Sequence, residues 1–210
     1  MDDQAFKALE HEIREFYEYL GMKVHQRTIP LYLVNEQEMK ESKARDGKNG
    51  HHRLDGTYGR TTSYVHTMYT NVEGRRHTLV AHSRVVSIRV LYGLPRLFTG
   101  QILTHEMMHA WHVLEIDGYH NLSLEVKEGL CEVLAHTWLG SQIRSMSKSK
   151  AAPSPLFNFE KRLAKFLRHG IESRTDHPYG TGFQLVKRAT DMYGLKGTLD
   201  YIRMTGVFPS

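Results

Sequence analysis

His105-Glu106-Met107-Met108-His109 carries the first chemical signal in this chain. Residues four apart on a helix stand one turn above each other on the same face. Two imidazoles placed that way can bind one zinc ion, with Glu106 leaning over the position that a water would take. The chemistry this predicts is metal-assisted hydrolysis, with Glu106 as the general base. The chain has 14 histidines and 15 glutamates in 210 residues, so the pattern could arise by chance and its surroundings must decide.

Zinc in a catalytic site takes three protein ligands and leaves the fourth position open. One known arrangement puts a third histidine six residues beyond the second, with a glycine midway to turn the chain. Here those positions are Glu115 and His112, which excludes it. The other places a glutamate on the next helix. Glu128 follows His109 with eighteen residues between, the spacing of the gluzincin aminopeptidases, and it lies in the helical run Leu124–Leu139. The metal set read from sequence is therefore His105, His109 and Glu128, binding zinc.

Glu132 and His136 follow Glu128 by one and two turns. Glu132 is the better candidate to accept a hydrogen bond from a ligand imidazole and fix its tautomer, and the plain alternative is a capped or solvated polar residue. Glu125 reads as a first-turn glutamate favoured by the helix dipole. Cys131 reads as a small buried hydrophobe. Tyr179, flanked by Gly180 and Gly182, reads as a loop residue beside a cleft that could steady a developing oxyanion, with His177 as runner-up. An ordinary surface-loop role is the competing account of both.

Elements must hold these residues in place. Residues 95–115 read as an amphipathic helix opened by Pro95, with Ile102, Leu103, Met107, Ala110, Val113 and Leu114 on its apolar side. Asn121 and Ser123 are N-cap candidates for the second metal helix. Residues 4–20 form a helix ended at Gly21, 29–34 a strand, 35–44 a short polar helix and 46–59 an exposed loop containing His51 and His52. Thr61–Val72 and His77–Leu91 read as strands around a turn at 71–74, although 84–92 could be a buried helical turn. The strand just before the metal helix is expected to lie along the cleft and pair with extended substrate. A linker at 145–155, a helix at 156–172 and a helical pair at 182–193 and 196–204, broken at Gly194, complete the chain.

The fold class expected is α+β, a zincin-like single domain. Residues 1–94 form an N-terminal lobe with a mixed sheet, 95–144 the metal helices, 145–155 the linker and 156–210 a helical C-terminal lobe. A hydrophobic share of 40% can build a core, and no apolar run reaches membrane-spanning length. The N-terminus shows no apolar signal segment. One cysteine excludes an internal disulfide and fits a reducing, cytoplasmic compartment. The net charge of +5 comes without any basic–aromatic stripe, so neither nucleic acid nor membrane is an expected partner.

Leu94-Pro95-Arg96-Leu97, Thr99-Gly100, Ile102-Leu103 and His105 to Trp111 together resemble the peptidase signature of the DA-one-like proteins, which include plant growth-limiting peptidases of the ubiquitin pathway. The similarity continues through Glu128-Gly129, Cys131, Val133 to His136 and Trp138-Leu139. It returns at Tyr179-Gly180, Gly182-Phe183, Tyr193 to Leu195 and Met204 to Pro209. The resemblance implies a zinc endopeptidase acting on proteins, with ubiquitin-pathway proteins as partners. The plant members carry LIM zinc modules and ubiquitin-interacting motifs ahead of this region. A single cysteine cannot build a LIM module here. Two alternatives stand beside the endopeptidase: a zinc aminopeptidase, suggested by the Glu128 spacing, and a catalytically silent, zinc-stabilised protein-binding module.

Overall fold

A computed structural model describes residues 1–23, 29–45, 58–72, 75–116, 122–149 and 154–209. Asp2 opens the first helix, α1 (Asp3–Tyr19), by accepting a hydrogen bond from the Ala5 N–H at 2.8 Å. Phe6, Leu9, Ile13 and Tyr17 repeat at helical spacing and are buried. Gly21, at φ 74°, supplies the left-handed turn after the helix. The Tyr17 hydroxyl donates to the Thr104 carbonyl at 2.7 Å, so α1 braces the residue just before His105.

The sheet has three strands, β1 (Leu31–Val34), β2 (Gly59–Val72) and β3 (Arg75–Leu91), in the order β1-β3-β2. A polar helix, α2 (Glu36–Arg45), follows β1. β1 pairs in parallel with Ile88–Leu91, and β2 pairs antiparallel along β3, so the sheet is mixed as expected. Residues 84–91 are strand, not a helical turn. A simple alternation would bury Val86, Ile88 and Val90. A register shift between Thr62 and Ser63 instead resets the phase, and Val85, Ile88 and Val90 are the fully buried residues. Gly59, read from sequence as loop, is the first residue of β2; residues 46–57 of that loop, with His51 and His52, lie outside the described residues, as do Glu73 and Gly74 of the expected turn.

The metal helix, α3 (Arg96–Glu115), begins after Pro95. It was expected to be amphipathic, yet it is buried on nearly every side, from Leu97 to His112. The cause is its position: α1 and the sheet pack against it, as does α4 (Leu124–Lys148). Ser123 caps α4 through Val126 N–H; Asn121 lies outside the described residues. α4 runs to Lys148, into the segment read as linker, and the Ser147 hydroxyl is satisfied by the Ile143 carbonyl of the same helix.

Two helices, α5 (Pro155–Ser173) and α6 (Tyr179–Thr205), form the C-terminal part. α6 bends at Gly194, where φ is 72°. It begins at Tyr179, so Tyr179 is not a loop residue. Gly180 and Gly182 serve close approach: a Cβ on Gly182 would stand 2.2 Å from the Glu125 carbonyl oxygen. A Cβ on Gly129 of α4 would stand 2.2 Å from the Gly182 carbonyl oxygen, backbone against backbone. Gly129→Ala is expected to lower stability by about 2–3 kcal/mol, because no side chain can yield there. A denaturant titration with a lower midpoint and unchanged slope checks this.

Candidate metal centre

α3 sets the imidazoles of His105 and His109 one above the other, with ring centroids 5.0 Å apart. α4 then supplies three residues to them from one face. Glu128 Oε2 lies 3.2 Å from His105 Nε2 and 3.6 Å from His109 Nε2. Glu132 Oε1 lies 3.6 Å from His105 Nδ1, and Cys131 Sγ lies 3.5 Å from His109 Nδ1. Both Nε2 atoms thus converge on one carboxylate, and both Nδ1 atoms have their own neighbour on α4.

Donor atoms of His105, His109 and Cys131 lie within 4.8 Å of one another, enough for a metal. Two donor sets are therefore available, with either Cys131 or Glu128 as the third member. Donors about 2.0–2.2 Å from a tetrahedral zinc stand about 3.3–3.6 Å apart, and the Glu128 distances match that edge length. Burial pushes the Cys131 thiol up to about 12 in the metal-free chain. Glu128 thus faces both Nε2 atoms, whereas Cys131 faces the other ring nitrogen of His109.

Electrostatics bind this cluster together in the metal-free chain. Burial alone would lower His105, but its hydrogen bond to Glu128 and the charges of Glu132, Glu128 and Glu106 raise it to about 9. Burial pulls Glu128 upward, and the charges and hydrogen bonds of the two imidazoles more than reverse this, holding it well below the usual carboxylate range. Glu132 is raised by burial, against the pull of His105 and Arg174.

Glu106 is nearly buried and is held from β2. The Thr61 hydroxyl lies 2.8 Å from both Glu106 Oε2 and the Glu106 main-chain oxygen. The strand beside this residue is therefore β2. β3, the strand expected there, is paired on both sides at Ile88–Leu91.

Tyr179 lies with its ring 6.2 Å from that of His105. Its hydroxyl is raised well above the usual phenol range, first by burial and then by the charges of Glu128, Glu106 and Glu132. Arg174 stacks on the Tyr179 ring at 4.7 Å, donates to Glu132 at 3.3 Å and grips Asp176 with two hydrogen bonds of 2.8 and 2.9 Å. His177 is not in the cluster: it is exposed, near Glu125 and Thr181. His136 is not either, and pairs with Glu172 at 2.7 Å.

Sequence reasoning missed Cys131 as a polar partner, along with Thr61 and Arg174. Cys131 was within reach of it, being three residues after Glu128 and so on nearly the same helix face. Thr61 and Arg174 gave no local signal, since they meet the site from 45 and 42 residues away.

Comparison with known proteins settles the relationship. The family model DA1-like, described as Protein DA1, matches residues 19–205. This chain belongs to the DA1-like family. It is 41% identical to Protein DA1-related 1 of Arabidopsis thaliana, with all of this chain aligned to 42% of that protein. It is 38% identical to Protein DA1 of the same plant, all of the chain covering 43%. It is 35% identical to the LIM domain-containing protein HDR3 of Oryza sativa subsp. japonica, all of the chain covering 47%. The chain thus spans less than half the length of these DA1-like relatives. No solved structure matches it. No helix among the described residues is long and apolar enough to cross a membrane.

Proposed function

We propose that this DA1-like chain is a zinc-dependent endopeptidase with a zincin-like active site, in which His105, His109 and Glu128 hold the metal and Glu106 is the general base. The convergence of both Nε2 atoms on Glu128 Oε2, at tetrahedral edge lengths, carries this reading. When bound, zinc supplies Lewis acidity, polarising a carbonyl oxygen and acidifying a water. Glu106 takes the proton of the attacking water and delivers it to the leaving amine. Tyr179, kept neutral, donates toward the carbonyl oxygen as negative charge develops there. Glu132 orients His105 and is itself held by Arg174.

An extended protein or peptide segment is the substrate this geometry favours. Leu91 N–H bonds to the Tyr58 carbonyl, so by antiparallel alternation Gly59 and Thr61 turn their own N–H and C=O away from β3, toward the open edge. A chain added along that edge passes Glu106. Beyond Arg174, a cavity of about 550 Å³ lined by Glu125, Gly180, Thr181, Gln184 and Arg188 has room for a substrate side chain. We place the enzyme in a reducing, cytoplasmic setting, on the strength of one buried free cysteine. Neither nucleic acid nor membrane is a proposed partner.

Elemental analysis alongside hydrolysis of an unstructured protein in two forms, one with a free and one with a blocked N-terminus, tests this proposal. About one zinc per chain, with internal cuts abolished by a chelator and restored by zinc, is the expected result. Cutting confined to free N-termini would mean an aminopeptidase, and zinc without any cutting a binding module.

The two donor sets make different predictions for Cys131. With Cys131 as a partner of His109 Nδ1, Cys131→Ser should keep zinc affinity within about threefold, and Cys131→Val should lose about tenfold. The cobalt-substituted wild type should then lack a thiolate-to-metal charge-transfer band. A strong band would assign Cys131 to the metal instead.

A further inference from the structure

Two residues of β2 do more than pass by the cleft. Thr61 Oγ1 sits 2.8 Å from Glu106 Oε2 and 2.8 Å from the Glu106 main-chain oxygen, so one hydroxyl touches both ends of the residue. A Cβ on Gly59 would stand 2.4 Å from Ile102 Cγ2 and 2.9 Å from both Glu106 Cγ and Glu106 Oε1. The strand therefore lies against the Glu106 side chain at a point where any side chain would collide. A glutamate has three side-chain torsions, and holding it in one geometry costs rotamer entropy that these neighbours offset.

We infer that Thr61 and Gly59 are positioning residues that set the angle of the Glu106 carboxylate from the sheet, anchoring Oε2 and leaving Oε1 free to carry the proton. This rests on the peptidase reading above. The two oxygens then differ. When Glu106 is ionised, the Thr61 hydroxyl donates to Oε2 and fixes the carboxylate plane. Oε1, beside the side-chain-free Cα of Gly59, accepts the proton from the attacking water and later gives it to the amine nitrogen as the peptide C–N bond breaks. One proton enters and one leaves, so Glu106 ends the cycle as it began. While Oε1 holds the proton, Oε2 still accepts from Thr61, so the carboxyl does not swing away between the two transfers.

The test compares wild type with Thr61→Val, Thr61→Ser and Gly59→Ala. Valine keeps the shape and strand preference of threonine and removes only the hydroxyl. Zinc content should stay the same in all four proteins, since no ligand is touched. Thr61→Val should lose about 10–100-fold in kcat on an unstructured protein substrate, with KM within about twofold. Thr61→Ser should stay within about threefold of wild type, and Gly59→Ala should follow Thr61→Val. Wild-type kcat in Thr61→Val would overturn the inference, as would an equal loss in Thr61→Ser, which would signal packing alone.

Binding of benzohydroxamate gives a second reading that needs no turnover, because its hydroxyl must meet a carboxylate beside the metal. Affinity should fall about tenfold in Thr61→Val and hold in Thr61→Ser. Equal affinity in all four proteins would also overturn the inference. Zinc-loaded wild type that binds the probe but cuts nothing would overturn the peptidase reading, while the Val–Ser contrast would still decide the role of Thr61.

Discussion

Glu106→Gln is expected to bind zinc as the wild type does and to lose at least about a thousandfold in kcat. The amide has the shape of the carboxylate, and Thr61 can still donate to its carbonyl oxygen, so the packing against Gly59 need not change. What disappears is a group that can take a proton. General base catalysis contributes about 10²–10⁴-fold, and here the same oxygen must also return the proton to the amine. Zinc content by elemental analysis and single-substrate kinetics decide the matter. A variant with full zinc and near-normal turnover would remove Glu106 from the mechanism, and a variant without zinc would show that Glu106 helps to hold the metal.

Glu128→Ala should have the opposite profile: activity is lost because the metal is lost. Removing an outer partner of a ligand costs about 10–100-fold in affinity, and removing a ligand should cost more. The metal-stripped protein also suffers. Glu128 is fully buried beside the partly buried His105, and deleting one partner of a buried pair costs about 3 kcal/mol or more.

The pH dependence of that loss follows from the shifts. His105 is raised from 6.5 to about 9, so its share of stability is complete below about 6.5 and lost as pH rises through about 9. Glu128 is lowered from 4.5, so its share is present above about 4.5 and lost as pH falls through its folded value. Metal-stripped wild type should therefore exceed metal-stripped Glu128→Ala most at about pH 5–6.5, and the gap should close above about pH 9. Denaturant midpoints of both proteins across that range, in the presence of chelator, measure it. A gap that widened toward alkaline pH would contradict the pairing.

How much could be read in advance varied with the distance over which the information acts. The nearness of His105 to His109 was legible because helix geometry alone puts residues four apart on one face. Glu128, expected from the eighteen residues between it and His109, is brought to them by the packing of α4 on α3. Glu132, one turn beyond Glu128, was legible by the same helix geometry. The two strands and the break at Gly194 followed from local composition. The bulge near Val86 was not legible, since an extra residue in a ladder is fixed by the partner strand. Glycines usually mark turns, and by that local signal Tyr179 belongs to a loop. Here Gly180 and Gly182 are small so that α6 can lie against α4 and the chain at Arg174, a need visible only in three dimensions. Thr61 illustrates the general limit: nothing in a threonine on a strand announces a carboxylate 45 residues away.

The contact of Gly129 with Gly182 has one more consequence. It ties the second turn of the glutamate-bearing helix to the first turn of the helix that carries Tyr179, main chain to main chain. Walls joined in this way do not part like jaws to admit a bulky folded surface. On the peptidase proposal, the ordering required for cutting then falls on the substrate, which would arrive as a strand threaded along β2. For the proposed peptidase, conformational entropy thereby becomes a selectivity filter: slack or locally melted segments should be cut, and the same sequence locked in a helix or a sheet interior should be spared until something unfolds it.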